Sequence, residues 1–269
     1  MLTSIWAWLT APEQWSGSGA IPTRIGEHLL YCALAMALAA VLALPAGLWV
    51  GHAGRGRWLV TLANAARAVP SLGLLFAVAM IVQPRISSTL AFVIPSLVVL
   101  VLLAVPPLLS GAYAGVAAVD PAARDAAYGM GMAGPRVLRD VELPCALPLL
   151  LSGVRSASLQ LVGTATIAAS VSLGGLGRYL IDGLAAQDYP QMAGGALLVA
   201  LLALALDLVL AMLSRYAVSP GLGGKHPGAR AVARPDGRVP APGASSTVAL
   251  PDTGSLPRTV SPTDGNELR

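Results

Sequence analysis

Five apolar stretches, each about as long as a lipid bilayer is thick, constrain the fold of this chain more than any other feature. A helix needs about 20 mostly apolar residues to cross a bilayer, and the stretches occupy residues 28–49, 58–82, 89–109, 146–171 and 192–213. In lipid the backbone must satisfy its own hydrogen bonds, which leaves only helices and closed barrels. None of the stretches alternates polar and apolar residues as a barrel strand does. The sequence therefore predicts an all-α membrane protein with five transmembrane helices.

Composition divides the chain into a membrane part and a tail. Of the whole sequence 55% is hydrophobic and 11% charged, whereas soluble proteins have about 25% charged residues. From about residue 219 the sequence is rich in Pro, Gly, Ser, Thr and Ala, a composition that cannot bury a core. We expect a transmembrane domain at residues 28–218 and a disordered cytoplasmic tail at 219–269. Residues 1–14 contain no Lys or Arg, so no cleaved signal peptide is expected.

The basic residues of the connecting segments predict the orientation of the helices. Segments next to a span that are rich in Arg and Lys stay in the cytoplasm. The N-terminal segment and the second and fourth loops hold one basic residue each: Arg24, Arg85 and Arg178. The first loop, the third loop and the C-terminal segment hold more: Arg55 and Arg57; Arg124, Arg136 and Arg139; Arg215, Lys225, Arg230, Arg234 and Arg238. Residues 1–27 are thus predicted to lie outside, and the third loop and the C-terminus in the cytoplasm.

The third loop, residues 116–145, has its own pattern of helix signals. Asp120 can cap a helix and Pro121 suits its first position. Residues 122–128 favour helix, and Gly129 and Gly131 predict its end. The loop therefore predicts a short helix in the water between the third and fourth spans.

A second short helix is predicted after this one. Gly134 and Pro135 indicate a turn, residues 136–141 can form the helix, and Pro144 and Pro148 bracket the return into the membrane. The same pattern also suits an ordinary solvated loop whose amphipathic helices lie on the membrane surface, and the spacing of the residues leaves both interpretations open.

Seven residues of this loop carry a resemblance to a known family. Their spacing resembles the EAA signature of ABC importer permeases, which is Glu-Ala-Ala, three residues, Gly, nine residues, Ile-x-Leu-Pro. Asp replaces Glu and Val replaces Ile, both conservatively. The residues are Asp125, Ala126, Ala127, Gly131, Val141, Leu143 and Pro144.

Further segments resemble the osmoprotectant branch of that family, the glycine betaine/carnitine/choline permeases. The similarity covers roughly residues 29–213 and leaves out the tail. Arg67 departs from it, because a neutral polar residue such as Gln is expected there. The segments are residues 68–72, 119–122, 129–132, 141–144, 146–148, 163–166 and 173–177.

The resemblance implies a type I ABC importer permease (MetI-like) fold and a non-catalytic membrane subunit of the bacterial inner membrane. The short helix of the third loop would be a coupling helix that docks on a cytoplasmic ATPase. A solute-binding protein outside, a second permease copy or paralogue and membrane lipid would be further partners; no nucleic acid is expected. The sequence has no Gly-x4-Gly-Lys-Ser/Thr motif, so ATP and Mg²⁺ would be bound by the ATPase and this chain would hold no cofactor.

The function that the resemblance implies is passage of a small compatible solute such as glycine betaine, choline or carnitine. The alternatives are an importer permease for another solute, such as methionine or an oxyanion, and an ATPase-independent carrier or scaffold. A secondary carrier is expected to contain inverted repeats, and the sequence does not show any. His28, His52 and His226 are far apart with no carboxylate or cysteine at ligand spacing, so neither a catalytic nor a metal site is predicted.

Three charged residues, Arg67, Arg155 and Asp207, lie within the apolar stretches. Such residues mark functional or paired positions. Arg155 and Asp207 lie at similar depth and are predicted to join the fourth and fifth spans, although both arginines could instead reach the cytoplasmic interface.

Small residues and prolines supply further hypotheses. Gly47-x3-Gly51 and Gly111-x3-Gly115 match helix-packing motifs, which occur often by chance in a glycine-rich chain. Pro70 and Pro95 predict bends or static kinks. A loop just outside the fourth span, with Gly174, Gly175 and Gly177, is interpreted as an external gate or docking loop.

Overall fold

The structure is a computed structural model, and it describes residues 2–86, 88, 90–171 and 173–217. Every regular element in these ranges is helical, which confirms the all-α prediction. The predicted tail at 219–269 lies outside the described residues. The helices are α1 (Leu2–Thr10), α2 (Ile21–Ala53), α3 (Arg57–Ala65), α4 (Ser71–Val82), α5 (Leu90–Ala117), α6 (Pro121–Gly129), α7 (Gly134–Val137), α8 (Leu143–Ala168), α9 (Gly177–Ala186) and α10 (Tyr189–Ala217).

Four helical stretches are long and apolar enough to cross a membrane. They are α2, α5, the continuous run Gly134–Val171 that contains α7 and α8, and α10. A fifth candidate is a pair of helices, Arg57–Ala68 and Ser71–Arg85, bent by 90° at a short break. The predicted stretch 58–82 is therefore two helices and not one continuous helix.

The break in this pair has a local cause. Pro70 has no N–H to donate and disfavours helical geometry in the residue before it. Val69 is accordingly extended, with φ −72° and ψ 126°, and α4 begins directly after Pro70. Pro95 lies inside α5, which continues through it. Of the two prolines predicted to bend or kink their spans, only Pro70 breaks its helix.

Glycines bring α2 and α5 into close contact. A methyl group on Gly47 would stand 2.6 Å from the Leu109 carbonyl oxygen, and one on Gly51 would stand 2.7 Å from Val116 Cβ. Both contacts are possible only because glycine has no side chain. The residue numbers rise together along the two helices, so α2 and α5 run parallel.

The parallel packing of α2 and α5 fixes the role of the bent pair. Two consecutive long helices can run in the same direction only if the chain between them returns to the starting side. That chain is the pair of α3 and α4, so the pair acts as one broken span. The four long helical stretches and this pair together make five crossings, in agreement with the five predicted stretches.

A second set of small residues packs α5 against α8 in the antiparallel direction. A methyl group added to Gly111 would stand 2.9 Å from Gly153 Cα. One added to Gly115 would stand 2.8 Å from the Ala146 carbonyl oxygen and 2.9 Å from its Cβ. Both Gly-x3-Gly segments therefore lie at helix contacts. Around them a core of small and branched residues joins α2, α5 and α8: Cys32, Ala35, Ala39, Ala43, Leu100, Ala104, Leu108, Leu109, Ala157, Leu161, Val162 and Ala165.

These packing directions place the connecting segments at two opposite ends of the bundle. The C-terminal ends of α2 and α5, the helix α6 and the start of α8 share one end, which we call the α6 end. The start of α2 and the helices α1 and α9 share the other end, where the Tyr179 hydroxyl donates to the Gly19 carbonyl at 2.6 Å. The first and third loops thus lie on the same side, as their basic residues predict.

Candidate functional site

Helix α6 begins where its sequence predicts. The Asp120 carboxylate accepts a hydrogen bond from the Ala122 N–H at 2.9 Å, and Pro121 occupies the first turn. An acidic N-cap of this kind satisfies a backbone donor that has no partner within the helix. The short helix is therefore defined at its start by its own residues.

The end of α6 is a tight glycine turn. The Met132 N–H donates to the Ala127 carbonyl at 3.2 Å, and the Gly131 N–H donates to the Tyr128 carbonyl at 2.9 Å. This pair of bonds is the Schellman motif, whose turning residue adopts a left-handed conformation. Gly131 has φ +82°, which explains in physical terms why the signature has glycine at this position.

The residues of the signature divide between the two faces of α6. Asp125 and Ala126 are exposed to solvent, whereas Ala127 is 1% exposed and packs against the rest of the chain. Two larger apolar side chains beside them are also exposed, Tyr128 at 45% and Met130 at 76%. The outer face of α6 thus offers a carboxylate and apolar surface, and Ala127 serves the contact with the bundle.

The chain after α6 is more continuously helical than the sequence predicts. Gly134 and Pro135 start α7 and do not form a turn. A π-helical segment, Leu138–Glu142, connects α7 to α8, with the Leu143 N–H donating to the Leu138 carbonyl. Pro144 lies in the first turn of α8, and Pro148 lies inside the helix. The predicted second helix at 136–141 therefore runs directly into the fourth span.

A buried carboxylate at the end of the π-helical segment was not predicted. Glu142 is 0% exposed, and its Oε2 lies 2.7 Å from His52 Nδ1, at the end of α2. An ionised carboxylate can only accept hydrogen bonds, so the His52 N–H donates. Residues 90 positions apart in sequence are thereby joined.

Arg124 approaches the other oxygen of the same carboxylate from α6. Its Nε lies 2.6 Å from Glu142 Oε1, but the N–H is poorly aligned with the oxygen, so the contact is an ion pair and not a well-directed hydrogen bond. Arg124 Nη2 also donates to the Val116 carbonyl, in the last turn of α5, at 3.1 Å. We call Glu142, His52, Arg124 and the Val116 carbonyl the Glu142 junction.

One sequence signal could have indicated Glu142. It stands between Val141 and Leu143, at the variable position of the signature, where the chain is about to enter an apolar stretch. An acidic residue there needs a partner. The partners could not have been named, because they come from a loop and a helix that only folding brings near.

Arg155 and Asp207 are brought together, as predicted. The Arg155 guanidinium donates two hydrogen bonds to the Asp207 carboxylate. Nε donates to Oδ1, and Nη2 donates to Oδ2 at 2.5 Å. The two side chains are respectively 46% and 19% exposed. Arg67 is exposed in the short turn Ala66–Ala68 that precedes the bend, with no ion-pair partner among the described residues.

The glycine loop after the fourth span is packed against the start of α2. The Gly175 N–H donates to Glu27 Oε2 at 2.8 Å, and Gly175 has φ +88°. A methyl group on Gly174 would overlap Glu27 Oε2, and a methyl group on Gly177 would overlap the Thr166 carbonyl oxygen. The three glycines thus permit close backbone approach; a role as gate or docking loop stays a prediction.

Comparison with known proteins agrees with this arrangement. The family described as binding-protein-dependent transport system inner membrane component matches residues 43–222. The glycine betaine/carnitine/choline transport system permease protein OpuCB of Bacillus subtilis is 31% identical over 211 residues, 78% of this chain and 94% of OpuCB. The osmoprotectant import permease protein OsmW of Salmonella typhimurium is 31% identical over 197 residues, 72% of this chain and 89% of OsmW.

A solved structure shows the same fold. A chain of the MetNI methionine ABC transporter, in an inward-facing conformation, superposes with a TM-score of 0.64, covering 78% of this chain and 100% of its own length at 20% identity. The predicted type I importer permease fold and the resemblance to the osmoprotectant branch are both confirmed. From these matches, the chain belongs to the binding-protein-dependent transport system inner membrane component family, whose members are non-catalytic permease subunits of ABC importers in the inner membrane.

Proposed function

We propose that this chain carries a small quaternary amine, of the class of glycine betaine, choline and carnitine, across the cell membrane. The observation that carries the proposal is the match over nearly their whole length to permeases named for these solutes. The chain itself has few aromatic residues, 5% of the sequence, and a trimethylammonium group is usually held by aromatic rings. Selection of the solute is therefore assigned to an extracytoplasmic binding protein.

The energy for transport comes from a separate ATPase that binds α6. A short helix with an exposed apolar and acidic face suits a groove on a partner protein. Asp125, Ala126, Tyr128 and Met130 supply that face, and the ATPase supplies ATP and Mg²⁺. Because α6 lies next to the basic first loop and within the basic third loop, the α6 end faces the cytoplasm and the N-terminus faces outward.

A second permease copy or a paralogue completes the translocation path. Helix α10 has no buried residue in its most apolar 18-residue window. A helix that is apolar all round and unburied in one chain needs lipid or another subunit against it. We assign the outer faces of the bundle to contacts with lipid and with the second permease subunit.

The test is purification of the tagged chain from its native membrane, together with uptake assays. An ATPase carrying Gly-x4-Gly-Lys-Ser/Thr should co-purify, and labelled glycine betaine, choline or carnitine should enter cells that lack other uptake systems for these solutes. Uptake of labelled methionine or of an oxyanion in their place would overturn the assignment of the solute. Absence of any ATPase in the purified material would favour the carrier or scaffold and overturn the assignment to an ATP-driven importer.

A further inference from the structure

The Glu142 junction joins four parts of the chain at one buried carboxylate. Glu142 itself precedes α8, His52 belongs to the end of α2, and Arg124 belongs to α6 and contacts the last turn of α5. No solvent reaches Glu142, at 0% exposure, whereas the His52 and Arg124 side chains are 22% and 26% exposed. The junction therefore links α6 to the ends of α2, α5 and α8.

Separating α6 from the Glu142 carboxylate would be energetically costly. A buried carboxylate that loses its cationic partner, here Arg124, is strongly destabilised, because nothing replaces the solvation it gave up on folding. Any displacement of α6 that pulled Arg124 away would leave the buried Glu142 carboxylate with His52 as its one remaining side-chain partner among the described residues. Movement of α6 together with the ends of α2, α5 and α8 avoids that cost.

We infer that Glu142 is a positioning residue that makes α6 and the α6 ends of α2, α5 and α8 move as one body. The inference rests on the proposed function, in which an ATPase moves α6. It goes beyond the signature residues of the outer face, because it assigns the transfer of that movement to a position that the signature leaves variable. Small surrounding residues support it: Gly51 packs on Val116, and Gly134 leaves room for the His52 ring, whose Nε2 would be 3.3 Å from an added methyl group.

The test measures distance and transport in the assembled transporter. Spin labels are placed at the exposed positions Ala53, at the end of α2, and Ala123, on α6, in a chain whose two cysteines are replaced by alanine. With native Glu142 the distance distribution should be narrow and the same without nucleotide and with ATP and vanadate. In the Glu142→Gln variant the distance should shift or broaden when ATP and vanadate are added, and glycine betaine uptake should fall at least about tenfold.

The matched control is Asp140→Asn. Asp140 is a carboxylate of the same π-helical segment, but it is 47% exposed and pairs only with Arg136, at 3.4 Å. This variant should keep the native distance and uptake, since exposed pairs contribute little. Co-purification of the ATPase should be equal in both variants and the unsubstituted chain, because the outer face of α6 is unchanged.

The inference is overturned if Glu142→Gln keeps normal uptake and the native distance distribution, both without nucleotide and with ATP and vanadate. It is also overturned if the distance between the labels changes on addition of ATP and vanadate in the chain with native Glu142. Should Glu142→Gln fail to reach the membrane, the same measurements are made on Arg124→Gln, which removes only the contact from α6 to Glu142. If neither variant reaches the membrane, the junction merely holds the fold and the inference fails. A chain with native Glu142 that binds no ATPase would instead show that the proposed function is wrong.

Discussion

Arg155 on α8 and Asp207 on α10 form an ion pair with two contacts, although 52 residues separate them in sequence. The pair lies within the membrane-spanning part of both helices, where an unpaired charge is costly. Towards its start α10 is held by Gly194 and Gly195, which pack on Trp8 and Tyr179, whereas its most apolar 18-residue window has no fully buried residue. The pair therefore gives α10 a defined position against α8.

Reversal of one charge in this pair should prevent assembly. Asp207→Arg places two guanidinium groups together in lipid, so the amount of chain in the membrane should fall several-fold, about as expected for an uncompensated intramembrane charge. The double variant Arg155→Asp/Asp207→Arg should restore at least half of the membrane content. Immunoblots of membrane fractions measure this, and a double variant as poor as the single one would show that the pair does not position α10.

The contact of α5 with α8 should depend on Gly153. An alanine methyl group there would stand 2.7 Å from the Pro107 carbonyl oxygen, so Gly153→Ala should lower the free energy of unfolding by about 1–3 kcal/mol. Gly163 lies in the same helix with nothing within 4 Å of an added methyl group. Gly163→Ala should leave the thermal unfolding midpoint in detergent unchanged or slightly raised. Equal midpoints for both variants would contradict the close crossing.

The turn after α6 should depend on Gly131 and not on Gly129. Alanine at Gly131 must adopt φ +82°, which costs about 1–2 kcal/mol and should displace the outer face of α6. Solute uptake and ATPase co-purification should both fall. An added methyl group at Gly129 meets nothing within 4 Å and that residue has no positive φ, so Gly129→Ala is the control. Normal uptake with Gly131→Ala would argue against α6 as the coupling element.

Ala126 and Ala127 should respond differently to enlargement. Ala127→Leu overfills a buried contact and should destabilise the chain by about 1–3 kcal/mol, seen as a lower unfolding midpoint. Ala126→Leu adds bulk to an exposed face and should leave the midpoint unchanged while reducing co-purification of the ATPase. If the larger side chain at Ala126 has no effect on the ATPase, the docking face that we propose for α6 is wrong.

Local sequence signals explain much of the fold. The apolar stretches require helices because lipid offers the backbone no partners, and Asp120 and Gly131 delimit α6 through bonds to residues within five positions. Pro70 acts on its immediate neighbour, so a bend was foreseeable there. Its size, 90°, was not, because the angle depends on how α3 and α4 pack against α5.

The sequence by itself determined the membrane class, the five crossings and the ends of α6, because each depends on neighbouring residues and on the solvent around them. Tertiary structure alone decided that Ala127 faces inward while Ala126 faces outward, and that the glycines of the loop at 174–177 pack on Glu27. It also decided that Glu142 meets His52 and Arg124. The partners of a buried charge come from distant segments, and only the packing of the helices brings them within hydrogen-bonding distance.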